Sequence, residues 1–215
     1  MCHGDTRDTL HNRRDFLAGL GIDYHDLVCG EQVHGTNTSY AGNNDKGKGA
    51  LVEGTAFKQT DGLITDCAGV PLAIFTADCL SVFLYDPKCK AIGLAHAGWK
   101  GTQAGIVSGV IALMRERFKS SPDDLWAGLG PAIRSCCYEV GEEFGGLFDT
   151  GLSRIDNRYH LDLAALNKRQ LLESGVRVDK ISDCGICTSC RTKDFFSFRR
   201  EGDSCGRTIS VMMLK

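Results

Sequence analysis

The chain has 215 residues, a mass of 23.3 kDa and a formal net charge of −2. This charge provides no positive field that would hold nucleic acid or an anionic membrane, so neither is expected as a partner. No apolar run reaches the ~18 residues of a transmembrane helix. The length suits one domain, and 1–215 is interpreted as a single domain.

Eleven cysteines are a high and odd number for a chain of this length. The first residues lack the pattern of a secretory signal, so a disulfide framework is not expected. Thiols that stay free or bind metal in a reducing compartment are the better interpretation. The sequence therefore predicts a cytoplasmic protein.

Periodicity and turn residues predict the elements in chain order. Helices are predicted over 7–20, 106–118, 140–148 and 161–174. Strands are predicted over 26–35, 50–55, 63–65, 71–75, 81–85, 91–95, 125–129, 178–182, 194–198 and 207–214. The stretch 36–48 is polar and rich in Gly and Asn, which predicts a surface loop. Since strands and helices follow no strict βαβ order, the expected class is α+β with a mixed sheet.

The segment 61–101 carries two polar signals, TADC and HAGW, each directly after an apolar run. Between them a strand leaves and turns back at Asp86 and Pro87, a pair that is typical of turns. Neighbouring strands lie ~4.8 Å apart. Cys79 and His96 can therefore meet at one edge of the sheet.

Cysteine with histidine is the chemistry of a nucleophile pair or of a soft metal site, and the residues alone leave both open. A cysteine at a strand end is more often a small buried apolar residue. Asp78 beside Cys79 has to be solvated or paired, which indicates a polar pocket. His34 precedes a glycine in a loop, where a histidine is ordinarily a surface residue. Together with Cys79 and His96 it would nevertheless give zinc three ligands and one open position.

The other cysteines are interpreted as packing residues. CGICTSC at 184–190 has a spacing that can bind zinc or an iron–sulfur cluster, but no fourth cysteine with proline follows. Cys136 and Cys137 are adjacent, and neighbouring thiols do not easily chelate one ion. Both groups are therefore expected to be structural.

Arg199 and Arg200 directly follow the aromatic stretch 195–198 and form a basic cluster with Arg207, which follows Gly206. A solvated strand end explains it as well as a phosphate clamp, in which guanidinium groups grip phosphate bidentately. Gly98 and Gly101 let the backbone come close to a ligand, and the amides of the following helix can hold an anion.

Seven segments of the chain together resemble the YfiH family, also called the multicopper polyphenol oxidoreductase (laccase-like) or purine nucleoside phosphorylase family. They are EQVHG (31–35), DGLIT (61–65), TADCLSVFLYD (76–86), AHAGWKGTQAGI (95–106), GPAIRSCCYEVG (130–141), LDLAALNKRQL (161–171) and CTSC with FFSFRREGDSCGR (187–207). The resemblance runs from Asn12 to the end of the chain. It implies a mixed α/β sandwich with flanking helices, similar to the deamidase domain of cytotoxic necrotizing factor.

The resemblance also implies a metal site at His34, Cys79 and His96, with zinc as the cofactor and copper as the alternative at the same ligands. The implied reactions are phosphorolysis of adenosine, inosine, guanosine and methylthioadenosine, and deamination of adenosine. A nucleoside and phosphate would be the partners of a monomer or homodimer. Within that interpretation, Asp78 moves protons. Lys100, Arg199 and Arg200 hold the phosphate.

Two alternatives use the same residues. A metal-free Cys–His hydrolase or amidase acting on a peptidoglycan precursor would have Cys79 as nucleophile and His96 as base. A copper-dependent polyphenol oxidase is the other, although six histidines are few for a multicopper centre.

Two features depart from the family pattern. Lys100 stands where arginine is common, which keeps the charge but loses bidentate gripping. Family members carry an extra strand before the segment that matches 1–5, so that sheet edge is expected to be absent here or to lie upstream of the given start.

Overall fold

The computed structural model describes residues 7–50 and 54–215. Its helices are α1 (Arg7–Gly19), α2 (Trp99–Gln103), α3 (Ile106–Phe118), α4 (Leu163–Glu173) and α5 (Phe198–Glu201). Its strands are β1 (Val28–Cys29), β2 (Thr38–Tyr40), β3 (Gly62–Thr65), β4 (Leu72–Thr76), β5 (Leu80–Asp86), β6 (Ala91–Ala97), β7 (Trp126–Leu129), β8 (Glu139–Val140), β9 (Leu152–Ile155), β10 (Arg158–Leu161), β11 (Ile181–Asp183) and β12 (Thr208–Met212). No helix in these ranges has the length and apolarity needed to cross a membrane.

The central layer is a six-stranded mixed sheet with the order β11-β7-β5-β6-β3-β2. β6 runs antiparallel to both of its neighbours, β5 and β3. Every residue of β6 is buried, because both faces of the sheet are covered. A strand covered on both faces has an unbroken apolar sequence rather than an alternating one.

Two different layers cover the central sheet. On one face lies a three-stranded sheet, β1-β4-β12, which packs around Leu63, Ile92 and Leu94. On the other face lie α3 and α4, which pack around Ile64 and Val82 together with other apolar residues of β5 and β6. Leu63 and Ile64 are neighbours on β3 and face opposite layers, as a strand requires. The predicted α+β class with a mixed-sheet sandwich and flanking helices is confirmed.

A third, smaller sheet, β8-β10-β9, stands beside the sandwich. It packs against a short 3₁₀ helix, Glu142–Gly146, through an apolar cluster that contains Phe144, Phe148 and Leu161. The hairpin of β9 and β10 was not predicted from the sequence. The helix predicted over 140–148 was wrong, because the segment starts in β8 and its later turn is a 3₁₀ helix.

Three other predictions need correction. The strand predicted over 26–35 ends at Cys29, and the chain then curves into a loop that wraps Asp61. The segment 194–198 forms no strand, because the Ser197 side chain accepts from the Arg200 amide and starts α5 instead. The loop predicted over 36–48 contains β2, and residues 51–53 of the strand predicted over 50–55 lie outside the described residues.

The helix predicted over 106–118 is confirmed as α3, but it is not the element that directly follows HAGW. α2 starts directly after Gly98, and α3 starts only after Gly105, whose φ is +83°. A residue in this left-handed region cannot continue a helix, and glycine adopts it without steric cost. The long helix therefore begins several residues beyond the histidine of that motif.

Candidate metal centre and adjoining cleft

His34, Cys79 and His96 come together at one end of the central sheet. Each offers one ligand atom, and the three atoms lie within 4.8 Å of one another. His96 lies in β6, opposite Ser81 of β5, so the start of β5 meets the end of β6. Cys79 lies in the turn just before β5, rather than at the end of a strand as predicted. His34 reaches the other two from the loop between β1 and β2 and is exposed, whereas His96 is buried.

Asp61 fixes both histidines, a role that was not predicted from the sequence. The residue is 1% exposed, and its Oδ1 lies 2.7 Å from Nδ1 of His96. Its carboxylate also accepts hydrogen bonds from the backbone amides of Val33 (3.1 Å), His34 (3.0 Å) and Gly35 (2.8 Å). Because Nδ1 of His96 donates to Asp61, its Nε2 is left for a ligand or a base role. The one signal in the sequence was a carboxylate directly before a buried strand.

The backbone of His34 has a φ of +60°, in the left-handed region that a residue with a side chain rarely adopts. Three hydrogen bonds from backbone amides to the Asp61 carboxylate hold His34 in this conformation and offset its conformational cost. As a result the His34 ring stands edge-on to the His96 ring, with centroids 4.8 Å apart. Both imidazoles are thus positioned by one buried carboxylate.

Position 98 has no room for a side chain, so it requires glycine. A Cβ at this position would lie 2.9 Å from Cδ2 of His34 and 3.0 Å from Sγ of Cys79. Its φ of −76° is ordinary for any residue, so only the close approach calls for glycine. This explains the glycine of the HAGW motif.

The buried groups at this site carry charge near neutral pH. Burial raises the pKa of Cys79, but the His96 imidazolium and hydrogen bonds from both histidines outweigh it and bring the pKa to about 6. Burial lowers the pKa of His96, but the Cys79 thiolate and the Asp61 carboxylate raise it to about 9. Burial also raises the pKa of Asp61, and bonds from His96 and from backbone amides hold it below its usual value. The result is a thiolate–imidazolium–carboxylate chain.

Asp78 is engaged by the chain segment opposite it. Its carboxylate is buried and accepts hydrogen bonds from the hydroxyls of Thr188 (2.6 Å) and Ser197 (3.0 Å) and from the Arg199 amide (2.7 Å). These contacts tie residues 188–199 to the turn that carries Cys79. The proton-transfer role of Asp78 stays a prediction, and the observed contacts give it a positioning role.

A cleft of about 400 Å³ lies beside the three-ligand site. It is lined by Trp99, Tyr138, Glu139, Val140, Gly141, Phe144 and Arg199. Trp99 directly follows Gly98, and its ring lies 5.0 Å from that of Phe144. Burial and the nearby Cys79 thiolate raise the pKa of Tyr138 to about 12. Aromatic walls with a few polar groups are typical of a site for a planar ligand.

The predicted phosphate-binding cations differ in what they contact. Arg199 is exposed, lines the cleft and lies 5.4 Å from the centre of the Tyr138 ring. Lys100 is exposed and lies 5.6 Å from the Trp99 ring. Both ring contacts leave the cations accessible to an anion.

Arg200 is occupied by the protein itself. Its guanidinium pairs with Glu201 and donates to three carbonyl oxygens: those of Thr188 (3.0 Å), Ser189 (2.9 Å) and Phe195 (2.7 Å). Arg207 similarly donates to the carbonyls of Cys205 and Gly206. The structure therefore does not bring Arg199, Arg200 and Arg207 together as one phosphate clamp.

The chain is similar to proteins of one family along nearly its whole length. A family model described as multi-copper polyphenol oxidoreductase laccase matches residues 2–215. The chain is 37% identical over 219 residues to purine nucleoside phosphorylase YlmD of Geobacillus stearothermophilus, covering 97% of this chain and 80% of that protein. It is 29% identical over 220 residues to adenosine deaminase RL5 of an unknown prokaryotic organism, covering 98% and 84%. The crystal structure of the hypothetical protein YfiH of Bacillus licheniformis matches with a TM-score of 0.93 and 35% identity, over 97% of this chain and 82% of the other.

Proposed function

Because this chain belongs to the multi-copper polyphenol oxidoreductase laccase family, as its motifs indicated, we propose that it is a metal-dependent purine nucleoside enzyme. Relatives named purine nucleoside phosphorylase and adenosine deaminase support phosphorolysis of purine nucleosides and deamination of adenosine. The observation that carries the proposal is a set of three converging metal ligands beside an aromatic cleft.

The donor set fits zinc. Two imidazoles and one thiolate provide three ligands, and a catalytic zinc site keeps its fourth position open. Gly98 leaves room beside His34 and Cys79, and Asp61 orients His96 as an outer-shell carboxylate does. A zinc ion held there would supply Lewis acidity, which makes water a usable nucleophile near neutral pH.

Copper chemistry is the less favoured assignment. A thiolate with two imidazoles also accepts copper. However, in the described part of the chain only His34 and His96 share a ligand set. A multicopper centre needs more imidazoles than this site supplies, so we assign one metal ion and not several.

The cleft would bind the nucleoside through its aromatic walls. A purine can stack on Trp99 or Phe144, while Arg199 supplies positive charge for an anion. Tyr138, with its raised pKa, stays protonated near neutral pH and can donate a hydrogen bond to the substrate.

The two reactions differ in the bond that breaks. In phosphorolysis a phosphate oxygen bonds to C1′ of the ribose while the C1′–N9 bond breaks, and the departing purine takes up a proton. Arg199 and Lys100 would neutralise that phosphate. In deamination water adds at C6 of adenosine, and the amino group leaves as ammonia to give inosine.

Metal content and products test the proposal together. Protein purified without a metal-affinity tag is analysed for metal and incubated with adenosine, with and without phosphate. His34→Ala should lose one metal ion per chain and both reactions. His25→Ala is the matched control, because His25 is an exposed histidine that pairs with Asp23 outside this site. A folded His34→Ala protein that keeps either reaction at the wild-type rate contradicts the single-site mechanism.

A Cys–His hydrolase is the second candidate, and one observation favours it. Asp61, His96 and Cys79 form a carboxylate–imidazole–thiol chain, the arrangement that activates a cysteine nucleophile. Cys79 would then attack an amide carbonyl and His96 would protonate the leaving amine. Amidase activity that survives complete chelation, but not Cys79→Ser, would place this reaction first.

A further inference from the structure

Four cysteine side chains from two distant segments converge at a place that shares no residue with the site described above. They are Cys136, Cys137, Cys187 and Cys190, and one ligand atom from each lies within 4.8 Å of all the others. We propose that these four thiolates bind a second metal ion, a tetrahedral thiophilic cation of which zinc is the expected example. The proposal does not depend on the nucleoside chemistry.

The sulfur positions suit a tetrahedral ion better than a disulfide. Cys190 Sγ lies 3.7 Å from that of Cys136 and 3.4 Å from that of Cys137. A Zn–S bond of ~2.3 Å places tetrahedral sulfurs about 3.8 Å apart, whereas bonded sulfurs are ~2.05 Å apart. All four thiols are free. Four sulfur atoms this close to one another can supply all four ligands of a tetrahedral metal ion.

The backbone explains how adjacent cysteines can share an ion. In an extended strand Cys136 and Cys137 would point to opposite faces. Instead residues 135–137 form a turn, closed by a hydrogen bond from the Cys137 amide to the Arg134 carbonyl (2.8 Å). The turn directs both sulfurs toward Cys190, which corrects the expectation that the pair could not chelate one ion.

The second pair is held in register by backbone bonds. Ala132 forms a β-bridge with Cys187, its amide donates to the Ile186 carbonyl (3.2 Å), and its carbonyl accepts from the Thr188 amide (3.1 Å). Arg134 reaches across and forms two bonds to Asp183 (2.8 and 2.6 Å). The two ligand segments are therefore preorganised by contacts that involve none of the sulfurs.

A four-thiolate site leaves no position for substrate, so the bound ion would be structural. It would fasten one wall of the cleft, because Tyr138 directly follows Cys137. It would also hold Thr188, which donates to Asp78 beside Cys79. The second ion would thus stabilise the geometry of the first site without touching substrate.

The chain contains its own matched control. Cys184 belongs to the same C-x2-C-x2-C motif and is exposed, but its sulfur is outside the cluster and lies 3.9 Å from Nη2 of Arg134. Cys184→Ser should therefore leave the second metal in place, while Cys137→Ser and Cys190→Ser should remove it.

Metal is counted per chain by elemental analysis on protein purified under reducing conditions. We expect about two ions in the wild type and in Cys184→Ser, and about one in Cys137→Ser, Cys190→Ser and His34→Ala. A folded Cys190→Ser protein, checked by circular dichroism, that keeps the wild-type count overturns the proposal. A wild-type protein whose four cysteines are found as disulfides by non-reducing mass spectrometry also overturns it.

A cobalt titration of His34→Ala gives a result even where the cysteine variants fail to fold. With the first site disabled and the resident metal first removed under reducing conditions, cobalt should give intense thiolate-to-metal charge-transfer absorption at one ion per chain. Absence of this absorption overturns the second site. If the protein shows this cobalt absorption but the wild type fails the nucleoside assay, the proposed function is contradicted and the second metal site is not.

Discussion

Replacing Gly98 with alanine tests whether the positions of His34 and Cys79 are as exact as metal coordination requires. The new methyl group would lie 2.9 Å from Cδ2 of His34 and 3.0 Å from Sγ of Cys79, about 0.5 and 0.4 Å inside the 3.4 Å limit of ordinary contact. Metal–ligand distances tolerate only ~0.2 Å. One or both ligands must therefore move by more than the metal permits, and we expect metal affinity to fall about 10–100-fold, as when an outer-shell partner is lost.

The backbone at Gly98 accepts alanine without strain, so the loss would come from the overlap alone. The assay is retention of metal during dialysis against graded chelator, with His34→Ala identifying the ion that belongs to this site. Gly109→Ala is the control, because its Cβ would meet only the Thr36 carbonyl, at 3.8 Å, in the interior of α3. Wild-type metal affinity in a folded Gly98→Ala protein would show that the close approach at Gly98 does not position the two ligands.

Other predictions separate residues that the sequence places side by side. Arg199→Gln should raise KM for substrate with little change in unfolding free energy. Arg200→Gln should lower the unfolding free energy by about 2 kcal/mol in a denaturant titration, because the carbonyl groups that it bonds lose their donor. Equal stability of the two variants would contradict this assignment. Thr188→Val removes one of three hydrogen bonds to the buried carboxylate of Asp78 and should cost ~1.5–3 kcal/mol, with an unchanged unfolding midpoint as the refuting result. In chelator-treated protein, alkylation of Cys79 by iodoacetamide should rise through pH about 6, since the thiolate form prevails above its pKa; a rise near pH 9, as for an ordinary thiol, would show that no imidazolium faces it.

The local sequence determined most of the central architecture. β3, β4, β5, β6 and α3 were predicted within one or two residues. Burial on one face leaves a periodic pattern in the sequence, and burial on both faces leaves an unbroken apolar run. The same patterns placed Cys79 and His96 at one end of neighbouring strands. Asp162, whose side chain caps α4, and Gly175 after its end similarly bracket a helix that was readable from its residues.

Elements with weak periodicity were decided by contacts that are distant in sequence. The segment 194–198 has the aromatic content of a strand, yet Ser197 starts a helix there while its hydroxyl donates to Asp78, far away in the chain. Residues 140–148 have the apolar spacing of a helix, but β8 pairs with β10 and takes the first of them. Local propensity is too small to resist such tertiary hydrogen bonds and packing.

The sites show the same division. Residue types and spacing identified His34, Cys79 and His96 as candidate ligands. Only the tertiary structure revealed that Asp61 holds the two histidines and that adjacent arginines have opposite surroundings. It also brought two cysteine pairs, about fifty residues apart in sequence, into one cluster. The reason is physical: a sequence states which donors exist, but ligand distances and hydrogen-bond partners are fixed only when the packing of strands and turns brings separate segments together.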